Sequence, residues 1–171
     1  MNRIAIPMFA MALSGLLSAQ SGNPLSTEAK QAFNGIKNNL TKMADKMPEE
    51  SYGFKAVPEI RSFGGLVGHV ADSALRTCST VAGEPKQGQA EKTMTKKAEL
   101  VAALKEAFAS CDVAFETFND AKAVEMVKSP RGERSKLGML VGNTTHLNEE
   151  YGYMAVYLRL KGIVPPSSEG R

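Results

Sequence analysis

Apolar residues recur at helical spacing through most of this chain. Ala29, Phe33, Ile36, Leu40, Met43 and Met47 follow one another at steps of four, three, four, three and four. On a helix with 3.6 residues per turn, that is one continuous stripe. Leu66, Val70, Ser73 and Ala74 form a second stripe, continued by Thr77, Cys78 and Val81. Leu100, Leu104, Ala107, Cys111, Phe115 and Phe118 form a third. Leu137, Val141, Thr144, Leu147 or Asn148, Tyr151, Ala155 and Leu158 form a fourth. No segment reads as a credible strand. Four amphipathic helices without a strand predict an all-α four-helix bundle. The low aromatic content (6%, with no Trp) and the abundance of Ala and Met agree with packed helices rather than a sheet sandwich.

Stop and start signals divide the stripes. Ser26 or Thr27 is placed to cap the first helix, Ser62 the second, Thr95 the third and Ser135 the fourth. Pro48 ends the first helix, and Gly162 with Pro165-Pro166 ends the fourth. Glu49 to Arg61 reads as a loop whose Tyr52 and Phe54 fold onto the bundle end. Ala121 to Arg134, marked by Pro130-Arg131-Gly132, reads as a second loop. Gly83 to Thr93 is the longest internal connector. At up to ~3.3 Å per residue it can run the length of the bundle, so the second and third helices can be parallel. Gly64, Gly65 and Gly68 crowd the start of the second helix, which predicts close helix approach or a site opening there. The tail IVPPSSEGR, from Ile163 to Arg171, is expected to run extended along the surface and to fray at its end.

The first 21 residues read as a secretory signal peptide. Asn2-Arg3 is a short positive segment, Ile4 to Leu17 an uncharged apolar run, and Ser18-Ala19 supplies small residues for cleavage after Ala19 or Ser21. Residues 22–166 then form one domain and 167–171 a tail. A periplasmic or secreted location follows, with no stable membrane insertion after cleavage. Export makes Cys78 and Cys111 matter as a pair. Each lies sixteen residues beyond its helix cap, Ser62 or Thr95, so in parallel helices the sulfurs fall at similar height. Either a disulfide or two buried thiols fits that placement. The formal charge is only +3, and Lys and Arg are scattered among Glu, which excludes a nucleic-acid surface.

The chain has two histidines, His69 in the second helical stretch and His146 in the fourth. Glu150 lies one turn beyond His146, on the same helix face. If the two helices face each other, the three side chains can hold one divalent cation, and two imidazoles with a carboxylate leave positions open for water or substrate. Spacing alone leaves two readings open, a metal site or a polar surface pair. Asp72, one turn beyond His69, is either an orienting carboxylate or a solvated surface acid. Tyr153 and Tyr157 either line a pocket or pack in the ordinary way, and Glu149 is expected to be exposed.

The stretches SFGGLVGHVADSAL, KAELVAALKEAFASCD and HLNEEYGYMAVYLRLKGIVPPSS resemble the DinB/YfiT superfamily, in particular its exported bacterial members. The resemblance spans the mature chain in order. It implies an up-down-down-up four-helix bundle with a divalent metal held by three histidines. One of those comes from the second helix and two, four apart, from the fourth. By position His69 and His146 match two of these ligands, while Glu150 stands where the family has the third histidine. Glu is a competent ligand and His₂Glu a known zinc set, with a preference shifted toward harder ions. The resemblance therefore implies a zinc, nickel, iron or manganese site at His69, His146 and Glu150. It also implies hydrolase-like or transferase chemistry on an unknown small-molecule substrate, and pairing into a homodimer. The change at Glu150 keeps open the alternative of a non-catalytic exported binding or stress-related bundle with a degenerate site.

Overall fold

The structure is a computed structural model and describes residues 22–129 and 132–170. The signal-peptide expectation over 1–21 lies outside them. Four long helices carry the fold: α1 (Pro24–Lys46), α2 (Phe63–Ala82), α4 (Lys97–Glu116) and α5 (Lys136–Leu160). A single-turn helix, α3 (Ala90–Thr93), lies in the long connector between α2 and α4.

The packing follows the stripes. α2 lies chiefly on α4 and also on α5, while α1 lies on α5 and α4. Phe33 and Phe115 stack with centroids 5.0 Å apart, and Leu40, Met43, Leu104, Leu147, Met154 and Leu158 are fully enclosed. Each such side chain removes apolar area worth roughly 1.5–3 kcal/mol. Gly64 at the start of α2 touches Leu100 at the start of α4, and Cys78 and Cys111 near their ends are joined by a disulfide. The two helices therefore run the same way, and the equal heights of the two sulfurs bring the cysteines together. Tyr52 is buried and donates its hydroxyl to the Ala44 carbonyl at 2.7 Å, closing one end of the core as expected.

The fourth stripe is misphased at one position. Val141 is 46% exposed, whereas Leu140 and Met154 are buried. Apolar residues are spread around α5, so spacing alone does not select the inward face.

Two caps hold where the sequence places them. Ser62 Oγ accepts from the Gly65 N–H at 3.0 Å, and Ser135 Oγ accepts from the Gly138 N–H at 3.1 Å. Two do not. α1 begins at Pro24, so Ser26 and Thr27 lie within its first turn, and Asp120 accepts the Leu25 and Ser26 N–H groups from across the fold. α4 begins after Lys96 with no side-chain cap, so Thr95 plays none.

The expected loop before α5 contains a hairpin. β1 (Met126–Ser129) pairs antiparallel with β2 (Gly132–Ser135), with Met126 opposite Ser135 and Val127 opposite Arg134. Four-residue strands are too short to show a period, and the ladder forms because it pairs backbone groups that a loop would leave to water. Gly132 takes φ +100°, a conformation that glycine adopts without penalty. The tail also differs from expectation: it turns through Pro166–Ser168, Tyr151 donates to Ser167 Oγ at 2.6 Å, and Lys46 pairs with Glu169.

Candidate metal centre

α2 and α5 face each other and bring His69, His146 and Glu150 together, as the spacing and the resemblance predict. His69 Nε2 lies 3.1 Å from His146 Nε2, and Glu150 Oε1 lies 3.7 Å from the first and 3.8 Å from the second. The point in their plane equidistant from these three atoms is about 2.1 Å from each, inside the ~2.0–2.2 Å range of nitrogen and carboxylate zinc ligands.

Glu150 is 3% exposed, and its Oε2 is buried without a hydrogen-bond partner. An unpaired carboxylate in that position is expensive, and a cation between it and two imidazoles offsets the penalty. The residues present therefore fit a divalent ion. The two imidazoles are partly exposed, on the open side of the triad.

Glu91, which sequence reasoning passed over, orients the first of the ligands. Its Oε2 lies 2.9 Å from His69 Nδ1, and its Oε1 accepts from Arg61 Nε at 2.7 Å. Donation from Nδ1–H to Glu91 leaves the Nε2 lone pair aimed at the site. Burial raises the Glu91 carboxyl, but the hydrogen bonds and charges of Arg61 and His69 outweigh it and hold the group below the ordinary glutamate range.

Asp72 matches neither sequence reading. It accepts the Ala90 N–H at 2.8 Å and the Glu91 N–H at 3.1 Å, so it caps α3 and through it places Glu91. Two glycines permit this docking. A Cβ on Gly68 would lie 2.7 Å from both Cα and N of Glu91, and one on Gly88 would collide with Asp72. The glycine crowding at the start of α2 was the one signal in the sequence that pointed here.

Tyr157 is buried between Phe54 and Phe63 and donates to the Arg61 carbonyl at 2.6 Å, so it packs rather than lines a pocket. Tyr153 is exposed, and its hydroxyl donates to Glu149 at 3.1 Å. Glu149 is exposed as expected, with Oε2 3.6 Å from His146 Nδ1.

A family model for the DinB superfamily matches residues 32–154, which contain His69, His146, Glu150 and Glu91. The chain belongs to the DinB superfamily. Several solved structures are similar to this chain in fold at low identity. A DinB-like protein from Bacillus cereus ATCC 10987 superposes with a TM-score of 0.69 at 17% identity, covering 82% of this chain and 95% of its own. A conserved protein from Enterococcus faecalis gives 0.64 at 12% identity, over 79% and 95%. A mycothiol-dependent maleylpyruvate isomerase gives 0.59 at 18% identity, over 76% of this chain and 59% of its own length. No curated protein sequence matches this DinB chain.

Proposed function

We propose that this DinB protein is an exported metalloprotein, a four-helix bundle of up-down-down-up order. It binds one divalent ion, zinc, nickel, iron or manganese, through His69, His146 and Glu150, and uses it in hydrolytic or group-transfer chemistry. The observation that carries the reading is the convergence of His69 Nε2, His146 Nε2 and Glu150 Oε1 from two helices, with the other oxygen of the same buried carboxylate, Oε2, left without a protein partner. The Cys78–Cys111 disulfide supports an oxidising compartment, as does the character of the first 21 residues.

The ion supplies a Lewis-acid centre that lowers the pKa of a water or thiol nucleophile. The chain supplies the rest. Glu91 fixes the tautomer of His69. Glu150 cannot also be a free base while it ligates. Glu149 lines the adjoining cleft and lies against Nδ1 of His146, on the ring edge away from His69 and Glu150, where its charge favours the tautomer that leaves Nε2 free to ligate. The mycothiol dependence of one structural neighbour makes a thiol one candidate nucleophile, with a hydrolytic water the other.

The test is metal analysis after purification without a chelating tag. About one ion per chain, lost in His69→Ala and His146→Ala, supports the proposal. A metal-free protein whose melting temperature ignores added divalent ions overturns it and leaves a non-catalytic bundle with a degenerate site. Glu150→His, measured alongside, asks whether restoring the family ligand changes which metal is taken.

A further inference from the structure

A cleft of 590 Å³ opens beside the triad, with His69 and His146 on its wall. Its other polar groups are cationic or neutral donors, apart from Glu149. Arg76 stands on α2 seven residues beyond His69, two turns along the same face. Arg134, at the end of β2, lays its guanidinium against α5, where Nη2 donates to the Gly138 carbonyl at 2.7 Å. Gly142 leaves the room for it, since a Cβ there would meet Arg134 Nη2 at 3.2 Å. Asn143, between Gly142 and His146, is only 6% exposed, yet it lines the cleft.

These groups are not absorbed by the fold. Among the described residues, the Arg76 guanidinium and the Asn143 amide have no hydrogen-bond or ionic partner. Arg134 gives one of its five N–H donors to Gly138 and keeps others for the cleft. The one carboxylate on the wall, Glu149, does not neutralise either arginine: its contacts are Tyr153 and His146. One guanidinium without a protein acceptor, a second with donors to spare and an unpartnered amide on the cleft wall are the complement of an oxyanion, because guanidinium offers paired donors matched to carboxylate and phosphate oxygens.

We infer that this cleft binds the oxyanionic end of the substrate, a carboxylate or phosphate group held by Arg76, Arg134 and Asn143. The inference rests on the metal reading of the neighbouring triad and names its substrate class. Arg76 lies two helical turns beyond His69, Asn143 lies within one turn of His146, and Arg134 lies against Gly142 one turn before His146, so the anionic group sits roughly 6–10 Å from the two imidazoles. A small molecule with an anionic head and a reactive centre a few bonds away fits both ends.

Isothermal titration of the purified protein, metal-loaded and after chelator treatment, tests this with succinate, methylphosphonate and uncharged succinamide. Succinate or methylphosphonate is expected to bind both forms, and whichever binds more tightly separates carboxylate from phosphate ligands. Succinamide is expected not to bind. Arg76→Gln and Arg134→Gln should each weaken anion binding about tenfold or more, the scale of one charge-assisted pair. Lys105→Gln, in a separate cleft, should leave it unchanged. Arg76 is solvent-exposed, so Arg76→Gln should fold even if Arg134→Gln disturbs the hairpin. Equal binding of succinate and succinamide overturns the inference. So does anion binding that requires metal and ignores Arg76→Gln, because the ion alone then accounts for it. Metal content of the same samples separates the two readings. Metal-loaded protein without arginine-dependent binding overturns the anion site alone. Arginine-dependent binding in protein that takes up no metal supports the anion site and overturns the metal reading.

Discussion

Glu91 and His69 are 22 residues apart in sequence, yet Glu91 Oε2 sits 2.9 Å from His69 Nδ1. The contact exists because a four-residue helix in the connector docks on Gly68 and is capped by Asp72. It fixes an imidazole on one helix with its other nitrogen facing His146 and Glu150.

Glu91→Gln should weaken metal affinity about 10–100-fold, the usual effect of losing a carboxylate behind a ligating histidine. Competition with a chromophoric chelator measures it. The melting temperature of the metal-free protein should change little by comparison, since Glu91 is only partly buried.

Gly68→Ala should damage the same site from a distance. Its new Cβ would meet backbone atoms of Glu91 at 2.7 Å, and backbone cannot turn aside as a side chain can. We expect about 1–3 kcal/mol of destabilisation from overpacking, with a fall in metal affinity like that of Glu91→Gln. Denaturant unfolding and the chelator assay read the two effects separately, and faster amide exchange across Ala90–Thr93 would locate the displacement.

Replacing Cys78 and Cys111 together with Ala should cost roughly 2–4 kcal/mol, as expected for a link that closes a loop of this length. The midpoint of urea unfolding checks this. Adding reductant to the unfolding of the unmodified protein should reproduce most of the loss, and an indifferent midpoint would show that the bond does not restrain the unfolded chain.

Asp120 should make stability depend on acid. Desolvation raises its carboxyl, but the Ser26 N–H and hydroxyl and the Leu25 N–H outweigh this and hold it below the ordinary aspartate range. A group whose pKa is lower folded than unfolded stabilises fully above its unfolded pKa, ~3.9, and loses that contribution as pH falls through the folded value. Asp120→Asn should therefore lower the melting temperature at pH 7, and the gap to the parent protein should narrow below about pH 4. Melting curves from pH 7 to pH 2 would show it, and a constant gap would count against the capping role.

Much of the fold is legible in residue order because each long helix buries its own stripe. Phe33, Ile36, Leu40 and Met43 are inside for the same reason that they are spaced three and four apart. Ser62 and Ser135 cap because each bonds an N–H three residues away, a purely local event. Asp120 could not be found that way, since the N–H groups that it caps are about ninety-five residues distant. Val141 shows the limit of periodicity on a helix with apolar residues on several sides. The three candidate ligands were nameable because His146 and Glu150 share a helix face, the chain holds only one other histidine, and the family resemblance singles out those positions.

The sequence by itself determined the four helices, their order and the identity of three convergent donors, because turn spacing and local capping act over a few residues. Tertiary structure alone decided the rest. The distances among His69, His146 and Glu150, the stranded oxygen of Glu150, the placement of Glu91 and the arginine-lined cleft depend on how α2, α3, β2 and α5 meet. Contacts between segments far apart in the chain follow from packing shape and backbone approach, here set by glycines at 68, 88 and 142, and no periodicity encodes them.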